Sequence, residues 1–381
     1  MTRRVVYLDN AATTPVDPRV AQEMAACLAL DGPYANPSSV HAPGRAARVL
    51  VEKARADVAA LVNAESSQVI LTSGATESDN LALLGSMRFQ RDQPRHVITS
   101  RTEHPAVLDA CRQLEREGCT VTYLKPGPGG IVEPAQVAEA WRPDTRLVSL
   151  MHVNNEIGVA QDIATVGRMC LERGALFHVD AAQSAGKLPI DVTGMHIDLL
   201  SVTAHKIHGP KGIGALWMRD GAEPAPLLHG GGQERQMRSG TLSPALCVGF
   251  GEAAKLAQSR ATRDYDHVQK LWTAALQALG PGWVVNGDTR HRYHGNLNIR
   301  RVGVDGARMM ADLRDIAFSL GSACASGSGR PSHVLRAIGL SYPEARSSIR
   351  LGFGRYTSRQ ELTDACHRIA AVAKAQEHLD A

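Results

Sequence analysis

The first candidate for chemistry is a lysine that lies between two apolar segments. Residues 201–214 read SVTAHKIHGPKGIG, and a second apolar run follows at 213–218. The pattern predicts a strand, a tight loop and another strand, with Lys206 at the end of the first strand. Burial there would lower the pKa of the amine and make it a nucleophile that can form a Schiff base. Taken alone, the segment is equally typical of a surface loop with two lysines.

Two further segments favour the reactive interpretation of that lysine. The sequence HVDAAQ at 178–183 ends an apolar run with Asp180, and QVILTSGATE at 68–77 predicts a strand, a turn of small residues and a helix. Such a helix start offers free N–H groups and the positive end of the helix dipole to a phosphate. The turn lacks the glycine spacing of a Walker loop or a dinucleotide fingerprint, which argues against nucleotide binding. An ordinary helix cap formed by Ser73 or Thr76 would explain the turn equally well.

A glycine- and serine-rich segment holds a second candidate nucleophile. Residues 319–331 read SLGSACASGSGRP, so Cys324 has only small or polar neighbours and cannot pack in a core. The composition predicts an exposed, mobile loop whose cysteine acts as a nucleophile or a carrier. The other cysteines lie in predicted ordered elements and are interpreted as packing residues: Cys27, Cys111, Cys119, Cys170, Cys247 and Cys366.

Composition and charge exclude several classes of protein. The chain has 381 residues, 44% of them hydrophobic, and a formal net charge of +4. The hydrophobic content is enough for a sizeable core. Because no block of Lys or Arg stands out, we expect no nucleic-acid partner. No run is long and apolar enough to span a membrane, and no signal-peptide pattern opens the chain. Seven scattered cysteines without a C-x-x-C pair favour a reducing cytoplasm and do not indicate a metal site.

Alternating strand and helix patterns must position these groups. They predict an α/β fold with a mostly parallel sheet and helices on both faces, in which ligands bind at the carboxyl ends of the strands. Candidate side chains gather at those ends: Thr76, His104, Asn154, Asn155, Asp180, Gln183, Thr203, His205 and Lys206. A long glycine-rich polar loop at 229–241 is expected to be functional. Short strands and helices after residue 280 predict a smaller α+β unit.

Ten segments together resemble the cysteine desulfurases of the NifS/IscS type, within the class V aminotransferases that use pyridoxal phosphate. They are YLDNAATTP at 7–15, ANPSSVH at 35–41, TSGATESDN at 72–80, TEHPAVL at 102–108, MHVNNEIGV at 151–159, HVDAAQSAGK at 178–187, HKIHGPKG at 205–212, GGGQERQMRSGTL at 230–242, GSACASGS at 321–328 and SSIRLGFGRYT at 347–357. One such segment would be weak evidence for this family, but ten segments in the family's order over nearly the whole chain are very specific evidence.

The resemblance implies fold type I of the pyridoxal-phosphate-dependent transferases. This fold has a large domain with a mostly parallel mixed sheet and a smaller α+β domain. The large cofactor-binding domain would span 16–260. The small domain would combine 1–15 with 261–381 and carry the catalytic cysteine loop at about 320–331.

The resemblance also implies roles for the residues that touch the cofactor ring. Lys206 would form the Schiff base and move the substrate α-proton, and His104 would stack on the ring and take part in proton transfer. Asp180 would pair with the pyridinium nitrogen and Gln183 with the phenolic oxygen. Cys324 would be the catalytic cysteine.

Other matched residues would hold the phosphate and the substrate. The implied phosphate ligands are Ala75, Thr76, Thr203 and His205, with Thr241 reaching the phosphate of the neighbouring subunit. Asn155 would lie beside both the cofactor and the substrate. Arg350 would bind the substrate carboxylate, since a planar guanidinium suits a bidentate contact.

The implied reaction takes sulfur from L-cysteine, giving L-alanine and a persulfide on Cys324. The implied partners are a second copy of the chain in a homodimer and a sulfur-acceptor protein, either an iron–sulfur scaffold or a sulfur carrier. The sulfur would serve iron–sulfur cluster assembly, tRNA thiolation or another biosynthesis. The expected compartment is the cytoplasm, with no metal, no nucleic acid and no membrane involved.

Departures from the family leave some alternatives open. Asp79 stands where many relatives have Asn, and Thr203 where Ser is commoner; we expect little effect from either. The chain ends soon after its last predicted helix, so a dedicated sulfur pathway stays open beside the iron–sulfur scaffold. A selenocysteine lyase or another β-eliminating pyridoxal enzyme is the nearest alternative. A binding or regulatory protein without activity is another, although the complete catalytic set argues against it.

Overall fold

The computed structural model describes residues 5–89, 95–320 and 331–377. Cys324 therefore lies outside the described residues. The strands in the described parts are β1 (Val6–Tyr7), β2 (Val69–Thr72), β3 (His96–Ser100), β4 (Thr120–Leu124), β5 (Thr145–Met151), β6 (Leu176–Asp180), β7 (Leu199–Thr203), β8 (Gly214–Met218), β9 (Val284–Val285), β10 (Asn296–Arg300), β11 (Ile316–Ala317), β12 (Ser319–Leu320) and β13 (Ser348–Gly352).

The α-helices in the same parts are α1 (Pro18–Leu28), α2 (Ala42–Ala60), α3 (Ala75–Asn80), α4 (Ser86–Phe89), α5 (Pro105–Arg116), α6 (Pro134–Glu139), α7 (Ile163–Arg173), α8 (Pro244–Ser259), α9 (Ala261–Leu279), α10 (Gly306–Asp312), α11 (His333–Ala337), α12 (Tyr342–Arg346) and α13 (Arg359–Glu377). None of these described helices is long and apolar enough to cross a membrane. The helix predicted after β2 is present, and a turn of π-helix at Leu81–Gly85 joins α3 to α4.

A mixed sheet of seven described strands forms the centre of the larger unit. Its order is β2–β8–β7–β6–β5–β3–β4. The five strands β3 to β7 all pair in parallel with one another. Strand β8 is antiparallel to both of its neighbours, β2 and β7. The prediction of a mostly parallel sheet is confirmed. Strands β2, β3 and β7 are buried at every position, so they read as continuous apolar runs rather than as alternating patterns.

Helices cover both faces of this sheet. Side chains alternate along a strand, so neighbouring residues of β3 enter different cores. Ile98 packs in the core that includes Val58 of α2 and Phe250 of α8. Val97 packs in the opposite core, with Leu114 of α5. The sheet edge formed by the carboxyl ends of the parallel strands is thereby held between two packed layers.

A smaller antiparallel sheet carries the C-terminal residues of interest. Its order is β12–β13–β10–β9, and helices α9 and α13 pack on it around Ile299, Leu351 and Ile369. Strand β1 pairs in parallel with β11, so the start of the chain joins this unit. We propose the domain division at 16–260 and at 1–15 plus 261–381, supported by this pairing and by the break between α8 and α9.

Gly214 is the first residue of β8 and lies beside the end of β2 and the turn that follows β2. A Cβ at this position would lie 2.5 Å from the carbonyl oxygen of Val202 and 2.7 Å from Cα of Gly74. We expect Gly214→Ala to lower the free energy of unfolding by about 1–3 kcal/mol, because backbone on two sides cannot move aside. Denaturant unfolding of the protein without cofactor measures this. The control Gly127→Ala, where a Cβ meets open space, should change it by less than about 0.5 kcal/mol; an equal loss in both variants would contradict the prediction.

Candidate active site

A cavity of about 600 Å³ opens at the carboxyl ends of the parallel strands. Its volume is in the range of cofactor and small-molecule sites. The predicted site residues that line it are Ala75, Thr76, His104, Asn155, Asp180, Gln183, Thr203, His205, Lys206 and Arg350. Thr241 is exposed and does not line this cavity, and Cys324 is outside the described residues. The structure thus brings together ten side chains that lie far apart in sequence.

Lys206 projects from a single helical turn, Ala204–Lys206, directly after β7. Its Nζ donates hydrogen bonds to the carbonyl oxygens of Ala11 (2.7 Å) and Ala12 (2.6 Å). Burial lowers the pKa of this amine to about 8, and the nearby Arg350 guanidinium adds to the effect, while Asp180 and Asp9 oppose it. At pH 7 about a tenth of the amine is therefore neutral, far more than for a lysine with the ordinary pKa of 10.5, and the neutral amine is the form that a nucleophile or general base requires.

Asp180 ends β6 and faces the same cavity. It is 5% exposed, and its Oδ1 accepts a hydrogen bond from the Ala182 N–H at 2.8 Å. Its Oδ2 has no hydrogen-bond partner among the residues that the structure describes. Burial raises the pKa of the carboxyl group, against the Ala182 hydrogen bond and the charges of His104 and Lys206. A buried acid with one unused oxygen is suited to a cationic N–H of a ligand.

His104 is the N-cap of α5. Its Nδ1 accepts a hydrogen bond from the Ala106 N–H at 3.2 Å, which leaves Nε2 to carry the proton of the neutral ring. Burial lowers the pKa of His104, and the attraction of Asp180 only partly offsets that effect. A neutral imidazole with a fixed tautomer therefore faces the cavity opposite the acid.

The turn after β2 is an uncapped helix start. Gly74, at φ 150°, is the N-cap of α3 and has no side chain to cap it, so the alternative of a cap formed by Ser73 or Thr76 is wrong. The Ser73 N–H is instead bonded to the Glu77 carboxylate at 2.8 Å. A Cβ on Gly74 would be 3.8 Å from Thr203 Oγ1, so the two segments predicted to hold a phosphate meet here.

His205 completes this side of the cavity. Its Nδ1 lies 3.1 Å from Thr13 Oγ1, within hydrogen-bond distance. Burial, reinforced by the charge of Lys206, lowers the pKa of His205 to about 4, so the ring is neutral at physiological pH. A neutral ring can donate one N–H to an anionic group without adding a second buried charge to the site.

Arg350 reaches the cavity from β13 of the smaller sheet. Its Nη1 donates to the Asn155 carbonyl oxygen (3.0 Å), and its Nη2 donates to Asp9 Oδ1 (2.8 Å) and Ser319 Oγ (2.8 Å). These contacts, which include an ion pair with Asp9, fix the guanidinium at the cavity wall, and its buried Nε has no hydrogen-bond partner among the described residues. Asn155 thus supports Arg350 through its backbone as well as lining the cavity through its side chain.

Sequence reasoning missed several residues of the cavity wall. The carbonyl groups of Ala11 and Ala12 hold Lys206, although the segment YLDNAATTP received no role beyond the resemblance. Asp79 also lines the cavity. Neither of its buried oxygens has a hydrogen-bond partner within 3.5 Å among the described residues, although His178 Nε2 lies 3.6 Å from Oδ1. Burial, followed by repulsion from Asp180, raises the pKa of Asp79 well above the usual range. The signal for Asp79 was its departure from the family's Asn, which was expected to matter little.

Comparisons with known proteins identify the family of this chain. The family model described as Aminotransferase class-V matches residues 6–364. The cysteine desulfurase IscS of Photobacterium profundum is 50% identical over 380 residues, covering 98% of this chain and 94% of the relative. A NifS-like protein of known structure superposes with a TM-score of 0.91 at 32% identity, covering 97% of this chain and 100% of the other.

A second solved structure is also similar to this chain. It is SspA in complex with cysteine, with a TM-score of 0.84 at 38% identity, covering 93% of this chain and 100% of the other. The likeness to these structures confirms fold type I. The chain belongs to the cysteine desulfurases of the class-V aminotransferase family.

Proposed function

We propose that this protein transfers the sulfur of L-cysteine to its own Cys324, releasing L-alanine, and then passes the sulfur to an acceptor protein. One observation carries the proposal: Lys206, Asp180, His104 and Arg350 converge on a single cavity. The four groups provide a base, a buried acid, a neutral imidazole and a carboxylate-binding cation. That combination suits chemistry at the α-carbon of an amino acid.

The residues present fit pyridoxal phosphate, the cofactor of this family. The unused Oδ2 of Asp180 suits a pyridinium N–H, and the uncapped start of α3 with Thr76, Thr203 and His205 suits a phosphate. Gln183 offers an amide N–H to an oxygen of the ring. When bound, the cofactor supplies an electron-withdrawing ring that stabilises negative charge at the substrate α-carbon.

The chain's own residues bind the substrate and move its protons. Arg350 and Asn155 hold the carboxylate of cysteine, and this carboxylate takes over guanidinium donors that Asp9 and Ser319 accept from in the structure. Lys206, with its pKa lowered to about 8, removes the α-proton and returns it. His104 is neutral and carries its proton on Nε2, so it can pass that proton at the cavity surface.

Cys324 is the proposed sulfur acceptor within the protein. Its thiolate attacks the substrate sulfur; a S–S bond forms, the C–S bond breaks, and the carbon keeps the electron pair and is protonated to give alanine. Ser319, five residues earlier, touches Arg350, and five extended residues reach at most about 18 Å. The thiols of the six described cysteines are buried, and burial raises the pKa of each, so none is a comparable nucleophile.

The assembly proposed is a homodimer with shared active sites. The exposed position of Thr241, away from its own chain's cavity, supports a contact with a neighbouring subunit. Large exposed apolar side chains occur close together in sequence at Leu28, Leu30, Tyr34 and Val40, as expected of an interaction surface. We propose a cytoplasmic location, supported by the free thiols of the six described cysteines.

Product analysis tests the proposed function. Purified protein is given pyridoxal phosphate and L-cysteine, with and without a reducing thiol, and alanine and sulfide are quantified together. We expect equal amounts of alanine and sulfide with the thiol, and turnover that stops after one persulfide without it. Pyruvate in place of alanine would contradict the proposal in favour of an eliminating enzyme. Turnover of selenocysteine but not of cysteine would contradict it in favour of a selenocysteine lyase.

Replacing the substrate-binding arginine tests the carboxylate contact. We expect Arg350→Lys to lower kcat/KM for L-cysteine roughly 30-fold, since a lost hydrogen bond between charged groups is worth about 2 kcal/mol. Steady-state kinetics measures this, with the exposed Arg112→Lys as the matched control. A kcat/KM within about twofold of the native value in both variants would exclude Arg350 as the carboxylate ligand.

The lowered pKa of Lys206 predicts how cofactor loading depends on pH. Only the neutral amine can attack an aldehyde, and below pH about 8 most of the amine is protonated. The rate at which the protein without cofactor takes up pyridoxal phosphate should therefore rise with pH and level off above about 8. The growth of the visible absorption band follows this rate. A midpoint near the ordinary lysine value of 10.5 would contradict the predicted environment.

A further inference from the structure

A second, partly buried lysine lies beside the active site and has no role in the proposed reaction. Lys187 follows Gln183 by four residues, and its Nζ donates a hydrogen bond to Gln183 Oε1 at 3.3 Å. The same Nζ lies 5.3 Å from the ring centroid of Tyr293. Burial, with repulsion from Lys206 as the second cause, lowers the pKa of Lys187 to about 7. No carboxylate pairs with it within the described ranges, and an enclosed amine without an acid is costly to maintain.

Lys187 belongs to a continuous chain of hydrogen bonds that ends at the reactive lysine. Gln183 Nε2 donates to the Ala11 carbonyl oxygen at 2.8 Å, and Lys206 Nζ donates to that same oxygen at 2.7 Å. Lys187 and Lys206 also line a small cavity of about 40 Å³ next to the main one. Both the Oε1 and the Nε2 atom of the Gln183 amide are therefore held by hydrogen bonds.

This arrangement selects one of the two orientations of the Gln183 amide. In the observed orientation, the oxygen faces the donor of Lys187 and the NH2 group faces the acceptor of Ala11. After a flip, two acceptors would meet at Ala11 and that hydrogen bond would be lost. At Lys187, the amide NH2 group would face the ammonium donors whenever the amine is protonated, so this hydrogen bond would be lost as well. The observed orientation leaves the second N–H of Gln183 for a group in the main cavity.

We propose that Lys187 is a positioning residue that fixes the Gln183 amide, so that an N–H rather than the carbonyl oxygen faces the oxygen of the cofactor ring. The inference rests on the proposed cofactor site, in which Gln183 bonds that ring oxygen. Lys187 acts through Gln183 and touches neither substrate nor cofactor. Without Lys187, only the Ala11 carbonyl oxygen would select the orientation, and the amide would more often present its oxygen to the oxygen of the cofactor ring.

Equilibrium binding of pyridoxal phosphate to the cofactor-free protein tests this role. We expect Lys187→Met to raise the dissociation constant roughly tenfold, the size of one good hydrogen bond, and to shift the pH midpoint of the visible band of the bound cofactor. Lys187→Arg keeps a hydrogen-bond donor, so its dissociation constant and its pH midpoint should both lie close to those of the native protein. Lys255→Met, a change at an exposed lysine, should alter neither.

The double variant separates positioning from a general effect on folding. If Lys187 acts through Gln183, Lys187→Met should change the dissociation constant by less than about twofold in a Gln183→Ala background, because there is no amide to orient. A tenfold change in that background, or an unchanged dissociation constant in the single variant, would overturn the inference. Should Lys187→Met fail to fold, the same cycle is made with Lys187→Gln. Failure of the native protein to bind the cofactor would overturn the proposed function, and this inference with it.

Discussion

Replacing Lys206 with alanine is expected to lower kcat for cysteine desulfuration by roughly 10³-fold or more, because one amine supplies both the nucleophile and the general base. The structure gives this residue its reactivity. Burial and the charge of Arg350 lower the pKa of its amine to about 8, and the Ala11 and Ala12 carbonyl groups hold its Nζ. Alanine and sulfide production measures the loss. The visible absorption band of bound cofactor should also cease to respond to pH.

A matched control separates the loss of the amine from a general loss of charge. Lys125→Ala removes an exposed lysine away from the cavity and should retain the native rate. The unfolding free energy of Lys206→Ala should stay close to that of the native protein, since a buried charge is removed together with its contacts. Desulfuration by Lys206→Ala at the native rate would refute the role of Lys206 in the chemistry.

Local patterns were sufficient to predict the large sheet and the positions of its site residues. The alternation of apolar runs with helical patterns predicted the mostly parallel sheet, and strand β3 is such a run, buried at every position. Asp180 and Lys206 were placed by the same logic, as polar residues at the carboxyl ends of such strands. The roles of these residues came from the resemblance, since spacing alone left a surface loop equally open.

Contacts between distant segments could not be predicted from local patterns. The pairing of β1 with β11 joins residues more than 300 positions apart, and no periodicity reports it. Arg350 is held by Asp9, Ser319 and the backbone of Asn155, which come from three separate parts of the chain. Backbone carbonyls have no sequence signal at all, so the hydrogen bonds of Lys206 to Ala11 and Ala12 were unforeseen.

The loop at 229–241 shows the same limit. Its length and composition predicted that the loop is functional, but they did not predict which residues anchor it. Glu234 is buried and forms an ion pair with Arg55, with oxygen–nitrogen distances of 2.6 and 2.8 Å, and it also accepts from the Leu71 N–H. The φ angles of Glu234 and Arg235 are 46° and 58°, conformations that non-glycine residues rarely adopt. Long-range ion pairs therefore determine the loop's shape.

Replacing Cys324 with alanine is expected to separate substrate binding from sulfur transfer. The variant should still bind pyridoxal phosphate and L-cysteine, because Lys206, Asp180 and Arg350 are unchanged, and the visible spectrum should still respond to cysteine. Release of sulfide to a reducing thiol should fall by roughly 100-fold or more, since the nucleophile that breaks the C–S bond is missing. Spectroscopic titration measures the binding, and alanine and sulfide assays measure the transfer.

A second cysteine variant makes this prediction specific to one thiol. Cys119→Ala removes a buried cysteine and should keep both binding and transfer, at a modest cost in stability. Mass analysis after one turnover without a reducing thiol should then find the added sulfur on Cys324 in the native protein and in Cys119→Ala. The described thiols are poor competitors, because burial raises the pKa of each. Native rates of sulfide release by Cys324→Ala would mean that sulfur leaves the substrate without a protein thiol, as in an eliminating enzyme.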